Sequence, residues 1–146
     1  MSKVTLREVT RQTLRAVLRL EVSADQTRFV ASNAVSIAEA HFSPDAWFRA
    51  IYADEEPVGF LMLSDKPEEP EYFLWRLMLG AEHQGRGYGR RALELLVEHV
   101  RGRPGATELL TSVVQEEGNP QPFYEAFGFV STGVLDDGEL VLRYAL

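Results

Sequence analysis

Apolar residues along this chain change their period several times, and the changes mark out its elements. "KVTLREV" (3–9) alternates in the manner of a half-exposed strand. Thr10 is placed to cap a helix carrying Leu14, Val17 and Leu18 on one face. A second helical pattern runs over about 27–40, with Phe29, Val30, Asn33, Ala34, Ile37 and Ala38 on neighbouring faces, until "SPD" (43–45) breaks it. "WFRAIYA" (47–53) and "VGFLMLS" (58–64) flank an acidic turn and predict a hairpin. After a proline-bearing loop, "YFLWRLML" (72–79) is apolar on both faces except at Arg76, the pattern of a central strand.

The second half is as clearly segmented. A helix is predicted up to about Val100, with Ala92, Leu95, Leu96, Val97 and Val100 inward, and "RGRPG" ends it. "TELLTSVV" (107–114) follows as a strand, then a short helix over "QPFYEAF" closed by Gly128. Phe123, Phe127 and Phe129 are expected in the core. "FVSTGVL" and "ELVLRYA" form a last hairpin around "DDG". The order β, two helices, three strands, helix, strand, helix, hairpin predicts a single α/β domain over 1–146, one mixed sheet with helices on both faces.

Composition narrows the chemistry. With 146 residues there is room for one real core. Cysteine is absent, and His41, His83 and His99 lack ligand spacing, so no metal site is expected. A net charge of −7 argues against nucleic-acid binding and is compatible with a cationic partner. No apolar run reaches the roughly 20 residues of a membrane span. The first residues lack the apolar stretch of a secretory signal, so a cytoplasmic protein is expected.

The candidate chemistry centres on "LGAEHQGRGYGRRALELLVEHV" (79–100). Gly85, Gly87 and Gly89 stand where a strand gives way to a helix, beside Arg86 and Arg90. One glycine suffices for a turn. Three, with arginines, suit a backbone that must approach an anion, with N–H groups and the helix dipole as the positive end. "GYGRRA" (87–92) also satisfies a dinucleotide pattern, but the acidic residue such a site needs is missing at the end of 107–114. No Walker lysine is present.

Parsed as Gln84-x-x-Gly87-x-Gly89, the stretch resembles the acetyl-CoA-binding motif of the GNAT (Gcn5-related N-acetyltransferase) superfamily. "GNPQPFYEAFGF" (118–129) resembles that family's next motif, in the right order and one strand later. "FVASNAVSIAEAHF" with "YFLWRLMLGAEHQGRGYG" is similar to its bacterial spermidine/spermine (diamine) N-acetyltransferase branch. The resemblance implies a GNAT-type mixed, mostly antiparallel sheet of about six or seven strands, acetyl-CoA as co-substrate, and a homodimer. It implies that the backbone of Leu77, Met78 and Leu79 holds the pantetheine arm. The pyrophosphate would lie on Gln84, Gly85, Arg86, Gly87, Tyr88, Gly89 and Arg90. Asn119 would be a further cofactor contact, and on spacing alone is equally a helix cap.

It also implies that Tyr124 is the general acid, since a phenol near pKa ~10 can protonate a thiolate near ~8.5. Phe29, Asn33, Tyr72 and Trp75 could line the site of a small cationic amine, a polyamine first, through cation–π contact. A protein N-terminus or another small amine is the alternative acceptor, and a non-catalytic acyl-CoA-binding domain the alternative class. For the base, Glu39, Glu71, Glu82 or a water chain are open. Arg76, in an apolar strand, needs either an acid from the helical region or a role in the acceptor site.

Overall fold

The computed structural model describes residues 2–146. Seven strands form one sheet in the order β1-β2-β3-β4-β5-β7-β6. In the chain they are β1 (Val4–Arg7), β2 (Ala46–Ala53), β3 (Glu56–Lys66), β4 (Glu71–Leu79), β5 (Glu108–Val114), β6 (Val130–Asp136) and β7 (Glu139–Ala145). Four helices accompany them: α1 (Leu14–Leu18), α2 (Asn33–His41), α3 (Tyr88–Arg101) and α4 (Gln121–Phe127). Every strand pairing is antiparallel except β4 with β5. The expected element order, sheet type and near strand count are all present.

Each face of the sheet has its own core. One holds Leu61, Leu63, Tyr72 and Leu74 against Leu93, Leu96 and Val100 of α3, continuing through Tyr124 and Phe129. The opposite face packs Phe60, Met62 and Met78 against Val17 of α1, with Ile37 of α2 at the margin. This division explains the doubly apolar reading of 72–79 and covers 58–63 of the neighbouring strand as well: central strands covered on both sides read as continuous apolar runs.

The predicted helix over 27–40 differs from the observed chain. A 3-10 turn at Ala24–Gln26 is capped by Ser23, and α2 begins only at Asn33, where the Ser32 hydroxyl accepts from the Val35 N–H at 3.2 Å. Serines compete for backbone donors in this way and stop a helical period from extending. Residues 27–32 are therefore a non-helical connection, which brings Phe29 and Val30 to the sheet's split edge. The first helix is also delayed: the Thr10 carbonyl accepts from Leu14 at 2.8 Å, and α1 starts four residues beyond the expected cap.

The parallel pair is the feature that positions the site. β4 and β5 are in register only at Phe73↔Leu110 and Leu74↔Thr111. In the β3–β4 ladder Met62 faces Arg76 while Leu63 faces Leu74, so Trp75 is an extra, bulged residue. A bulge bends its strand and increases twist. Beyond it β4 leaves β5, and the sheet opens into a V.

Candidate functional site

A cavity of about 640 Å³ occupies this V, within the range of small-molecule sites. Its floor is Leu74 and Trp75 of β4 against Thr111 and Ser112 of β5. Leu77, Met78 and Leu79 form one wall. Because their strand has no β5 partner there, alternate N–H and C=O groups of this edge face the cavity without a ladder. An extended, amide-bearing arm is the shape that would complete such an edge.

The glycine turn closes the wide end of the V. Gly85 and Gly87 have φ of 76° and 82°, the left-handed region, with nothing within 4 Å of an added Cβ. Gly89 is ordinary in φ but a Cβ there would meet the Phe123 ring at 3.2 Å and Leu79 at 3.3 Å. The three glycines thus have two separate causes, backbone conformation and close approach. Gly87 is the N-cap of α3, and Arg91 donates to its carbonyl at 3.1 Å. Among the described residues, the N–H groups from Gly85 through Arg90 find no protein acceptor. Unused amides on a tight arc at the positive end of a helix make an anion cradle.

Gln84 ties this turn down: its amide donates to the Leu79 carbonyl at 3.0 Å and to Gln26 Oε1 at 2.8 Å. Gly85, Gly87, Tyr88, Gly89 and Arg90 join Gln84 in the cavity lining, and the Arg90 guanidinium lies 5.6 Å over the Phe127 ring. Arg86 does not join them; it is exposed outside the wall. Asn119 lines the cavity and is also a local staple, Oδ1 accepting from the Gln121 N–H and Nδ2 donating to the Val114 carbonyl, both at 2.8 Å.

Tyr124 reaches the cavity from α4. Its ring packs edge-on against Phe123 and Phe129, each 5.3 Å between centroids, and the residue is 6% exposed. Burial pushes the phenol above its ordinary value, and the Thr111 hydroxyl facing it offsets part of that rise. Tyr124 therefore carries its proton throughout the physiological range. Phe123 differs from the core position expected for it: it is 37% exposed and lines the cavity over Gly89.

The acceptor-wall candidates divide. Phe29 and Trp75 line the cavity. Asn33 does not; at 2% exposure its Nδ2 donates to the Val17 carbonyl at 3.0 Å and meets Met78 Sδ at 3.7 Å, a tie between α1, α2 and β4. Tyr72 does not either: it is 1% exposed, and its hydroxyl donates to the Pro104 carbonyl behind α3. Both belong to the core, each spending its polar group on a backbone carbonyl rather than on the cavity. Arg76 has the acid partner from the helical region, Glu39 of α2 at 2.8 Å, and also lines the cavity. None of Glu39, Glu71 and Glu82 lines it; among the described residues its wall contains no carboxylate.

Thr111, Ser112, Gln26 and His83 were missed in the sequence although they line the cavity. The first two sit mid-strand in 107–114, and the pairing that sets Thr111 beside Leu74 is a tertiary choice with no local signal.

The profile of the acetyltransferase (GNAT) family matches residues 13–129. Among solved structures, an acetyltransferase from Thermus thermophilus superposes with a TM-score of 0.78 at 24% identity, with both chains covered fully. The PaiA N-acetyltransferase of Thermoplasma acidophilum, in complex with coenzyme A, superposes at 0.74 and 16% identity over 99% of each chain. A spermine/spermidine N(1)-acetyltransferase of Bacillus subtilis (strain 168) is 27% identical over 150 residues, 95% of this chain and 96% of that protein. The chain belongs to the GNAT family. It is an acetyl-CoA-dependent N-acetyltransferase.

Proposed function

We propose that the protein moves acetyl from acetyl-CoA to a primary amine of a small molecule, by direct attack of the neutral amine on the thioester. The observation that carries this is the V between β4 and β5, with open amides at one end and a buried, protonated phenol at the floor. The pyrophosphate is held by the N–H groups from Gly85 to Arg90, with Arg90 adding charge. The pantetheine arm runs along Leu77–Leu79 as an added strand, and the acetyl group rests near Trp75 and Thr111. The wall pre-orients donor and acceptor, which converts a bimolecular encounter into a near-unimolecular one.

In the transfer the amine nitrogen bonds to the acetyl carbon, the C–S bond breaks, and the amine gives up one proton. The CoA thiolate takes a proton from Tyr124, which regains one from solvent. Burial raises the phenol, so it stays protonated until the thiolate forms. Since Glu39, Glu71 and Glu82 lie outside the cavity, a water chain is what remains of the bases expected from the sequence.

Spermidine or spermine as acceptor is the finer reading. It is supported by the relatives of that name at 27% identity and by a net charge of −7, which attracts polycations. The same reading puts the enzyme in the cytoplasm, and no described helix is long and apolar enough to cross a membrane. A homodimer also belongs to it, for which the edge strand β6 offers Val130, Val134 and Leu135, each 56% exposed. Acetyl-CoA with a panel of primary amines, followed by free-thiol release, tests the activity. Tight CoA binding without turnover on any amine would leave an acyl-CoA-binding domain instead.

A further inference from the structure

On the α1–α2 face of the sheet the V continues into a second hollow of about 270 Å³, sharing Phe29, Val30, Trp75, Arg76, Ser112 and Pro120 with the first. Its charged groups are Arg28, Arg76 and Glu139. Arg28 is exposed, stacked 4.8 Å over Phe29, and spends one N–H on the Glu117 carbonyl at 3.1 Å. Arg76 is held from α2 by Glu39 and donates weakly to the Trp75 carbonyl at 3.3 Å, while its Nε is buried with no partner. Glu139, at the start of β7, accepts from the Ser112 hydroxyl at 2.9 Å. Ser112 lines both hollows, so this carboxylate stands one side chain from the floor of the V.

With Arg76 paired to Glu39, Arg28 and Glu139 are the groove's charges outside any ion pair among the described residues, and one carboxylate beside two guanidinium groups is a poor host for a polycation. The set suits a molecule with one of each charge. We propose that the acceptor is an amine that also bears a carboxylate, its anionic end bound by Arg28 and Arg76 and its amino end set between Glu139 and the thioester. Arg76 lines both hollows with its Nη2 held on Glu39 and its Nη1 only weakly engaged, so Nη1 is the donor it can offer a carboxylate. Arg28, exposed on the surface side, offers the same group the N–H groups it does not spend on Glu117. This selection rests on the acetyl transfer proposed above but departs from its polyamine acceptor: the relatives' name and the overall charge favour spermidine, the charges lining the groove an amino acid.

The test uses acceptor pairs that differ only in the carboxylate, lysine with cadaverine and β-alanine with ethylamine, plus spermidine, each with acetyl-CoA and thiol-release detection. The wild-type protein should show at least tenfold higher kcat/KM for the carboxylate-bearing member of a pair. Arg28→Gln, an exposed change that leaves the core intact, should shrink that ratio by tenfold or more, the effect of one lost charge-assisted bond. Arg76→Gln should shrink it as well, and its CoA affinity, measured separately, shows that the fold and the donor site are retained. Turnover that favours cadaverine or spermidine over lysine overturns the selection and leaves the acetyl transfer standing. A ratio unmoved by Arg28→Gln and Arg76→Gln overturns it equally. Turnover on no amine sinks the transfer reaction itself, and this selection with it.

Discussion

Tyr124→Phe separates chemistry from packing better than any other single change. The substitution removes one hydroxyl and keeps a ring that packs 5.3 Å from both Phe123 and Phe129. The apolar contacts of the ring therefore survive, and what is lost is at most one polar contact toward Thr111, worth about 1 kcal/mol. For a domain of this size that is a Tm shift of about 2–4 °C. The catalytic loss should be far larger. Removing an acid–base group typically costs 10²–10⁴ in rate, equivalent to about 2.7–5.4 kcal/mol of barrier. CoA affinity should move little, because the hydroxyl acts on negative charge that exists only as the C–S bond breaks. The raised phenol also predicts that the rate shows no fall from Tyr124 ionisation at moderately alkaline pH, since burial keeps the proton in place there. Melting temperature, CoA titration and kcat on this one variant suffice. A parallel loss of affinity and rate would mean that the hydroxyl merely positions the thioester. An unchanged kcat per folded molecule would refute the proton-donor role.

Gly87→Val forces a branched side chain to φ 82°, a strain of about 1–2 kcal/mol, and narrows the cradle; calorimetry should show CoA affinity falling at least tenfold, more than the folding loss explains. Tyr72→Phe removes the bond to the Pro104 carbonyl and should cost about 1–3 kcal/mol in a denaturant melt with KM for any amine unchanged, whereas a raised KM would return Tyr72 to the acceptor site. Leu96→Ala, fully buried between α3 and the sheet, should cost about 2–5 kcal/mol by the same melt. His99 stacks 4.1 Å from Trp47, and desolvation lowers its pKa in the fold. The unfolded chain thus binds the proton first, so stability should fall as pH drops through about 6.5 and onward to the lower folded value. His99→Gln should flatten that part of the stability–pH curve; an unaltered slope would contradict it.

Local patterning was enough for much of this protein. The period of 72–79 announced a doubly covered strand, and the glycines announced a turn into a helix, because the conformation of a short segment depends mostly on that segment. Asn119 was legible as a cap for the same reason, and its place at the cavity was implied only by the family resemblance. The direction a side chain takes out of its element was not. Asn33 and Tyr72 have the residue types of a binding wall, yet each turns inward and satisfies its polar atoms on a backbone carbonyl brought from a distant segment. Phe123 did the reverse, leaving the core because Gly89 gives its ring room at the cavity. The split itself depends on Trp75 being an extra residue opposite β3, a register that no pattern within 72–79 specifies. The groove charges Arg28, Arg76 and Glu139 stand far apart in the chain, and only the sheet order, with β7 beside β5, sets a carboxylate next to Ser112. Pairing across a sheet is a long-range choice made by the whole core at once, and it is what turns an anion cradle and a phenol into a site.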